Sequence, residues 1–215
     1  MCDALALHLH THSTHMSTHK TVPAKEDIAL LPAFPRLGPA DITLVQTAPQ
    51  ALAAWERLSQ TSVWGFDTES KPTFSVGETS DGPHVLQLAS TTHAWVIQLH
   101  DADCRATVAA WMANPGFTKV GFGLGDDKKR MLHKFGVEPA CVVDLNHLFH
   151  QRGWRKDIGV KGAVAVVFGQ NFAKSKKAAT SNWANAQLSE HQVVYAANDA
   201  FAAACVYQAM QTNPD

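Results

Sequence analysis

The order of elements in this chain predicts a three-layer α/β fold, a mixed sheet with helices on its faces. Strand-like segments follow one another closely between residues 62 and 99, helix-like and strand-like stretches then alternate, and a long helical segment closes the chain at 189–210. Consecutive strands favour an antiparallel meander, whereas alternation favours parallel pairing through helical crossovers. The chain has 215 residues, 46% of them hydrophobic, with 18 basic against 19 acidic side chains and a net charge of -1, enough for one domain with a substantial core. That balance does not announce a polyanion binder, but local clusters of Lys and Arg matter more for such a partner than the sum.

Residues 1–22, "MCDALALHLHTHSTHMSTHKTV", carry His8, His10, His12, His15 and His19 at near-alternating positions and read as a disordered tail with loose affinity for transition metals. Prolines recur from Pro23 to Pro39, so 23–41 reads as an extended segment strapped over the domain. "ITLVQT" (42–47) is strand-like, and "APQALAAWERLSQ" (48–60) sets Leu52, Trp55 and Leu58 at helical spacing. Strand candidates follow at 62–69 ("SVWGFDTE"), 84–90 ("HVLQLAS") and 93–99 ("HAWVIQL"), the last two joined by the short "TT" link of a hairpin. Then come the helix "DCRATVAAWMAN", the strand "FTKVGFG", the helix "GDDKKRMLHKF" with acids in its first turn, the short strand "ACVVD", the helix "LNHLFHQRG" and a helical stretch near "GVKGAVAVVFG". A polar basic loop, "AKSKKAATSNW", leads into the last helix, with Ser189 as its N-cap. Cys2, Cys104, Cys141 and Cys205 lie far apart without CxxC spacing and read as reduced and structural. No apolar run approaches the roughly 20 residues of a membrane span, so the default expectation is a cytoplasmic location with no membrane partner.

The chemistry starts in "VWGFDTESKP". Residues i and i+2 of a strand share a face, so Asp67 and Glu69 point the same way with Thr68 on the other side. Two such carboxylates repel, and in a half-buried setting one stays protonated unless a cation neutralises both. A hard divalent cation with oxygen preference, Mg²⁺ or Mn²⁺, is the economical partner. "VGFGLGDDKKRML" runs a buried strand through glycines into a helix carrying Asp126 and Asp127. Those glycines permit close approach of a phosphodiester chain, although acids in a first helical turn are stabilised by the dipole in any case. In the final helix "YAANDAFAA" puts Tyr195 and Asp199 one turn apart on one face, with the acid among alanines where an unpartnered charge is costly.

Together "FDTES", "VGFGLGDDKKRML" and "SKKAATSNWANAQLSEHQVVYAANDAFAA" resemble the three motifs of the DEDD superfamily of 3′-5′ exonucleases, and the tyrosine resembles the DEDDy branch that holds RNase D and the Werner-syndrome exonuclease domain. The resemblance runs in order from about residue 40 to 211. It implies an RNase H-like fold with a five-stranded mixed sheet, its first three strands antiparallel. It also implies that Asp67, Glu69, Asp127 and Asp199 hold two divalent ions, Mg²⁺ or Mn²⁺, with Asp126 the lesser rival of Asp127, and that Tyr195 orients the attacking water. The implied domain is 42–211, and the implied product is a nucleoside 5′-monophosphate released from the 3′ end of DNA or RNA. Where Werner-type relatives place an aromatic two residues after the second-motif acid, this chain has Lys129, which implies a phosphate contact there. Lys128, Lys129 and Arg130, with Lys174, Lys176 and Lys177, supply a local positive field for nucleic acid, and Trp183 is a candidate for stacking on a base. Two other classes remain: a nucleic-acid-binding module without catalysis, which predicts missing acids, and a metal-handling protein whose function lies in the His-rich tail.

Overall fold

The computed structural model describes residues 20–73 and 81–213. The histidines of the expected tail, all within residues 1–19, lie outside the described residues. One six-stranded sheet runs in the order β1-β4-β3-β2-β5-β6, with β1 Ile42–Val45, β2 Val63–Glu69, β3 Val85–Ala89, β4 Ala94–Gln98, β5 Thr118–Gly121 and β6 Val142–Asp144. The meander is present: β2 pairs antiparallel with β3, and β3 with β4. Its β3–β4 turn closes with Ser90 N donating to His93 O at 2.9 Å. Beyond it β5 pairs parallel with β2, and β6 with β5. The expected count of five strands is corrected to six, because Ile42–Val45 precedes the meander and adds itself in parallel along the free edge of β4.

Helices cover both faces. On one side pack α2 Ala48–Leu58, α3 Ala102–Ala113 and α4 Gly125–Phe135. On the other lie α5 Leu145–Gln151, α6 Gly159–Phe168 and α8 Glu190–Thr212, with the one-turn α7 Lys176–Ala179 interrupting what reads in sequence as a plain loop. Because both faces are covered, every residue of β3 is buried, yet the period of two survives: Leu86 and Leu88 enter the α2–α4 core while Val85 and Ala89 enter the α8 core.

Helix α8 begins where the sequence predicts. Ser189 Oγ accepts from Gln192 N at 3.3 Å and Gln192 Oε1 accepts from Ser189 N at 3.0 Å, a reciprocal capping box. Its alanines bring the helix backbone down onto β2. A Cβ on Gly65 would sit 1.9 Å from Ala200 O, so only glycine fits at that crossing.

The proline-containing segment is extended only in part. It holds a short α1, Lys25–Ala29, and then lies along the domain with Phe34 and Leu37 buried. Phe34 packs among Phe168, Phe172 and Phe201, at ring separations of 5.3, 6.1 and 5.9 Å. The fully buried Asn198 clamps the strap to α8: its Oδ1 accepts from Leu37 N at 2.9 Å and its Nδ2 donates to Leu37 O at 3.2 Å.

Candidate active site

Strand β2 sorts its residues by parity. Trp64 and Phe66 enter the α2–α4 core, while Gly65, Asp67 and Glu69 face α8. The close crossing at Gly65 sets Asp199, the neighbour of Ala200, opposite the strand's acids. Asp67, Glu69 and Asp199 each bring a carboxylate oxygen to within 4.8 Å of the others. Three converging oxygen ligands of this kind fit a hard divalent cation.

Asp127 arrives from the other face. Helix α4 is anchored in the α2–α4 core by Met131, and Thr68, the residue of β2 that points to that side, donates its hydroxyl to Asp127 Oδ1. Asp127 is close enough for its charge to disfavour ionisation of Asp67 and Glu69, but it stands outside the group of three converging carboxylates. Asp126 turns outward and pairs with Lys129 at 3.7 Å.

Burial and mutual repulsion act on all the acids. Burial first, then the charges of Asp199 and Asp127, hold the Asp67 carboxyl well above the usual carboxylate range. Burial, Asp67 and Asp199 push Glu69 up to about 9. Burial raises Asp199 and Asp127 as well. The opposing cation is Lys174, whose Nζ lies 2.6 Å from Asp199 Oδ2 and 5.4 Å from the Tyr195 ring centre. Its pKa is raised by that company, Asp199 first, against the effect of burial. Tyr195 is 4% exposed, and burial together with the Asp199 charge raises its phenol above the ordinary value.

One expected nucleic-acid contact, Trp183, is corrected, and another, Lys174, has a partner within the protein. Lys174 does not stand free in an open loop, because the buried carboxylates draw the nearest ammonium into the pocket. Trp183 is 1% exposed and packs against Tyr195 at 6.0 Å, so its ring has no open face for a base. The ring instead fixes the turn before α8. Lys129 and Arg130 on α4, and Lys176 and Lys177 on α7, are exposed, and Lys128 is half-exposed. Sequence reasoning passed over Thr68, Asn198 and Arg36. The first sits between two singled-out acids and the second directly before a third, so adjacency was the available signal; for Arg36, whose charge reaches Asp199, there was none.

A family model described as 3′-5′ exonuclease matches residues 42–214. Among curated proteins the chain is 28% identical over 154 residues to the bifunctional 3′-5′ exonuclease/ATP-dependent helicase WRN of Mus musculus, covering 71% of this chain and 11% of that protein. It is also 28% identical over 184 residues to ribonuclease D of Acidiphilium cryptum (strain JF-5), covering 84% of this chain and 44% of that one. The chain thus spans between 11% and 53% of the length of the first curated relatives it matches. In fold it is similar to the Aedes aegypti Nibbler EXO domain, with a TM-score of 0.68 at 24% identity over 83% of this chain and 90% of that one. It is similar too to Trypanosoma brucei RNase D, with a TM-score of 0.72 at 18% identity over 81% of this chain and 66% of that one. With the three acid-bearing segments all inside the matched stretch, the chain belongs to the 3′-5′ exonuclease family.

Proposed function

We propose that this protein is a metal-dependent 3′-5′ exonuclease that releases nucleoside 5′-monophosphates from a free 3′ end of DNA or RNA. The observation that carries this reading is the convergence of Asp67, Glu69 and Asp199. Divalent metals are normal to DEDD exonucleases, and the proposal specifies two ions, Mg²⁺ or Mn²⁺, held by these three acids and by Asp127. Such ions lower the pKa of an attacking water and offset charge on the leaving oxygen. A nucleic-acid substrate is in keeping with two structural neighbours, the Trypanosoma brucei RNase D complex with RNA U12 and Brucella melitensis NrnC bound to pGG.

The chain's own residues divide the remaining work. Asp67 and Glu69 hold their side of the site on a strand paired with β3 opposite Gln87 and Val85, so the ligand geometry is set before substrate arrives. Tyr195 keeps its proton at neutral pH, since burial and Asp199 both disfavour the phenolate. It therefore orients a water through its hydroxyl and does not act as the base. Thr68 holds Asp127 from behind the strand, which joins α4 to the site without opening the sheet. The Lys174 ammonium, 2.6 Å from Asp199 Oδ2, supplies a positive charge at the edge of the acids.

End-labelled DNA and RNA oligonucleotides incubated with Mg²⁺, Mn²⁺ or EDTA, alongside Asp67→Ala, test the proposal. A ladder shortening from the 3′ end in metal is expected, with Asp67→Ala slower by on the order of 10³-fold, about 4 kcal/mol of transition-state stabilisation. Cleavage that persists in EDTA or in the variant overturns it.

A further inference from the structure

Beside the acids, and continuous with them through Lys174, lies a cavity of about 620 Å³ walled by the strap, the start of α6 and the segment before α7. Its cations are Lys25 and Arg36 from the strap, Lys161 from α6 and Lys174. Among the described residues no acidic side chain lines it. Among the described residues no carboxylate lies within ion-pairing distance of Lys25, Arg36 or Lys161. The walls are close-fitted: a Cβ on Gly162 would come within 3.1 Å of Val22. Arg36 is next to Leu37, which Asn198 fastens to the turn of α8 that carries Asp199, and its charge reaches that carboxylate. A second cavity of about 520 Å³ shares Val22 and Ile158 with the first and adds Lys20, Arg155 and Lys156, while its Asp157 is engaged by His150 at 2.9 Å.

We infer that this groove holds the phosphodiester backbone of the substrate strand on the 5′ side of the scissile bond. The strap, which precedes the family match at residue 42, supplies two of its cations, Lys25 and Arg36. Lys25, Arg36 and Lys161, in a concave wall that no described carboxylate lines, are a binding surface for a polyanion, and the positive end of the ten-residue α6 adds to the same field. A chain of phosphates can engage cations spread from Lys161 to Lys174 at once, which a single small anion cannot. Phosphate contacts carry no base preference, so DNA and RNA strands are held alike. The inference rests on the exonuclease reading for the direction of the strand, but its test is separate.

Binding of fluorescein-labelled single strands of DNA and of RNA, from two to twelve nucleotides, is followed by anisotropy in EDTA across a salt series. The proteins are the full chain and the triple variant Lys25→Gln/Arg36→Gln/Lys161→Gln, all three positions being exposed. Removing three phosphate contacts should lower the slope of log K against log salt by about 2. The affinity defect should grow with strand length and then level off, equally for DNA and RNA. The charge-preserving set Lys25→Arg/Arg36→Lys/Lys161→Arg should restore the slope, which a packing defect would not permit. An unchanged slope in the triple variant, with or without weaker binding, overturns the groove. Failure of the exonuclease reading shows itself differently: the unmutated chain then binds with the full slope in EDTA but releases no nucleotides in Mn²⁺.

Discussion

The two faces of this sheet are packed by opposite means. Toward α2 and α3 the core is made of wide rings: Trp55 lies 5.3 Å from Trp111, and Trp64 lies 4.4 Å from Phe117, both stacked. Toward α8 the contact is nearly bare backbone, with Ala200 and Ala204 meeting β2 at Gly65. The ringed face presses wide apolar rings against the sheet, whereas on the other side the rings of Phe168, Phe172 and Phe201 gather around Phe34 of the strap. The bare face brings strand and helix so close that an acid on each can share one ligand. The chemistry thus sits on one surface of a sheet that is buried on both, and each variant below probes one of the two surfaces.

The largest effect is expected at Gly65→Ala. The added carbon would meet a backbone oxygen at 1.9 Å, which cannot rotate away, so α8 must lift. A loss of more than about 3 kcal/mol in urea unfolding is expected, together with loss of Mn²⁺ binding by the folded fraction. A variant that unfolds and binds Mn²⁺ like the parent would erase the contrast between the faces. Trp55→Ala should cost somewhat less, about 2–3 kcal/mol, because the ring is half-buried. Its nuclease turnover per folded molecule should stay at the parent level, and a fall in turnover larger than the loss of folded protein would show that the faces are not separable.

A third probe is pH, whose effect is centred on the acid face. The folded, metal-free protein holds protons on Glu69, Asp67 and Asp199 at pH values where the unfolded chain has released them. Stability therefore falls as pH rises from about 5 to about 9. Mg²⁺ or Mn²⁺ competes with those protons, so the rise in Tm on adding metal should grow over the same window. A metal-free Tm that climbs across this range would contradict the proximity of the acids.

Much of this was written into local pattern. The meander, the alternating second half and the Ser189 cap follow from period-two runs and turn residues, and the three acids that converge were singled out by their neighbours in sequence. What escaped did so because it depends on partners far along the chain. Trp183 carries the same residue signature whether it stacks on a base or closes a core, and only the fold around Tyr195 decides for the core. Lys174 reads like Lys176 and Lys177 in one basic run, yet it alone reaches Asp199. The edge strand β1 was legible as a strand, but its pairing with β4 was not, since that depends on which edge was left open. Lys25, Arg36 and Lys161 form no cluster in sequence at all.

The Asn198 clamp bears on where a working fragment of this protein can be cut. A chain begun at Ile42 would leave the Asn198 carboxamide without the Leu37 amide and carbonyl, and would strip Phe34 from the rings of Phe168, Phe172 and Phe201. The smallest autonomous unit therefore includes the residues from Phe34 onward, and expression boundaries drawn from family homology alone would cut through the support of Asp199.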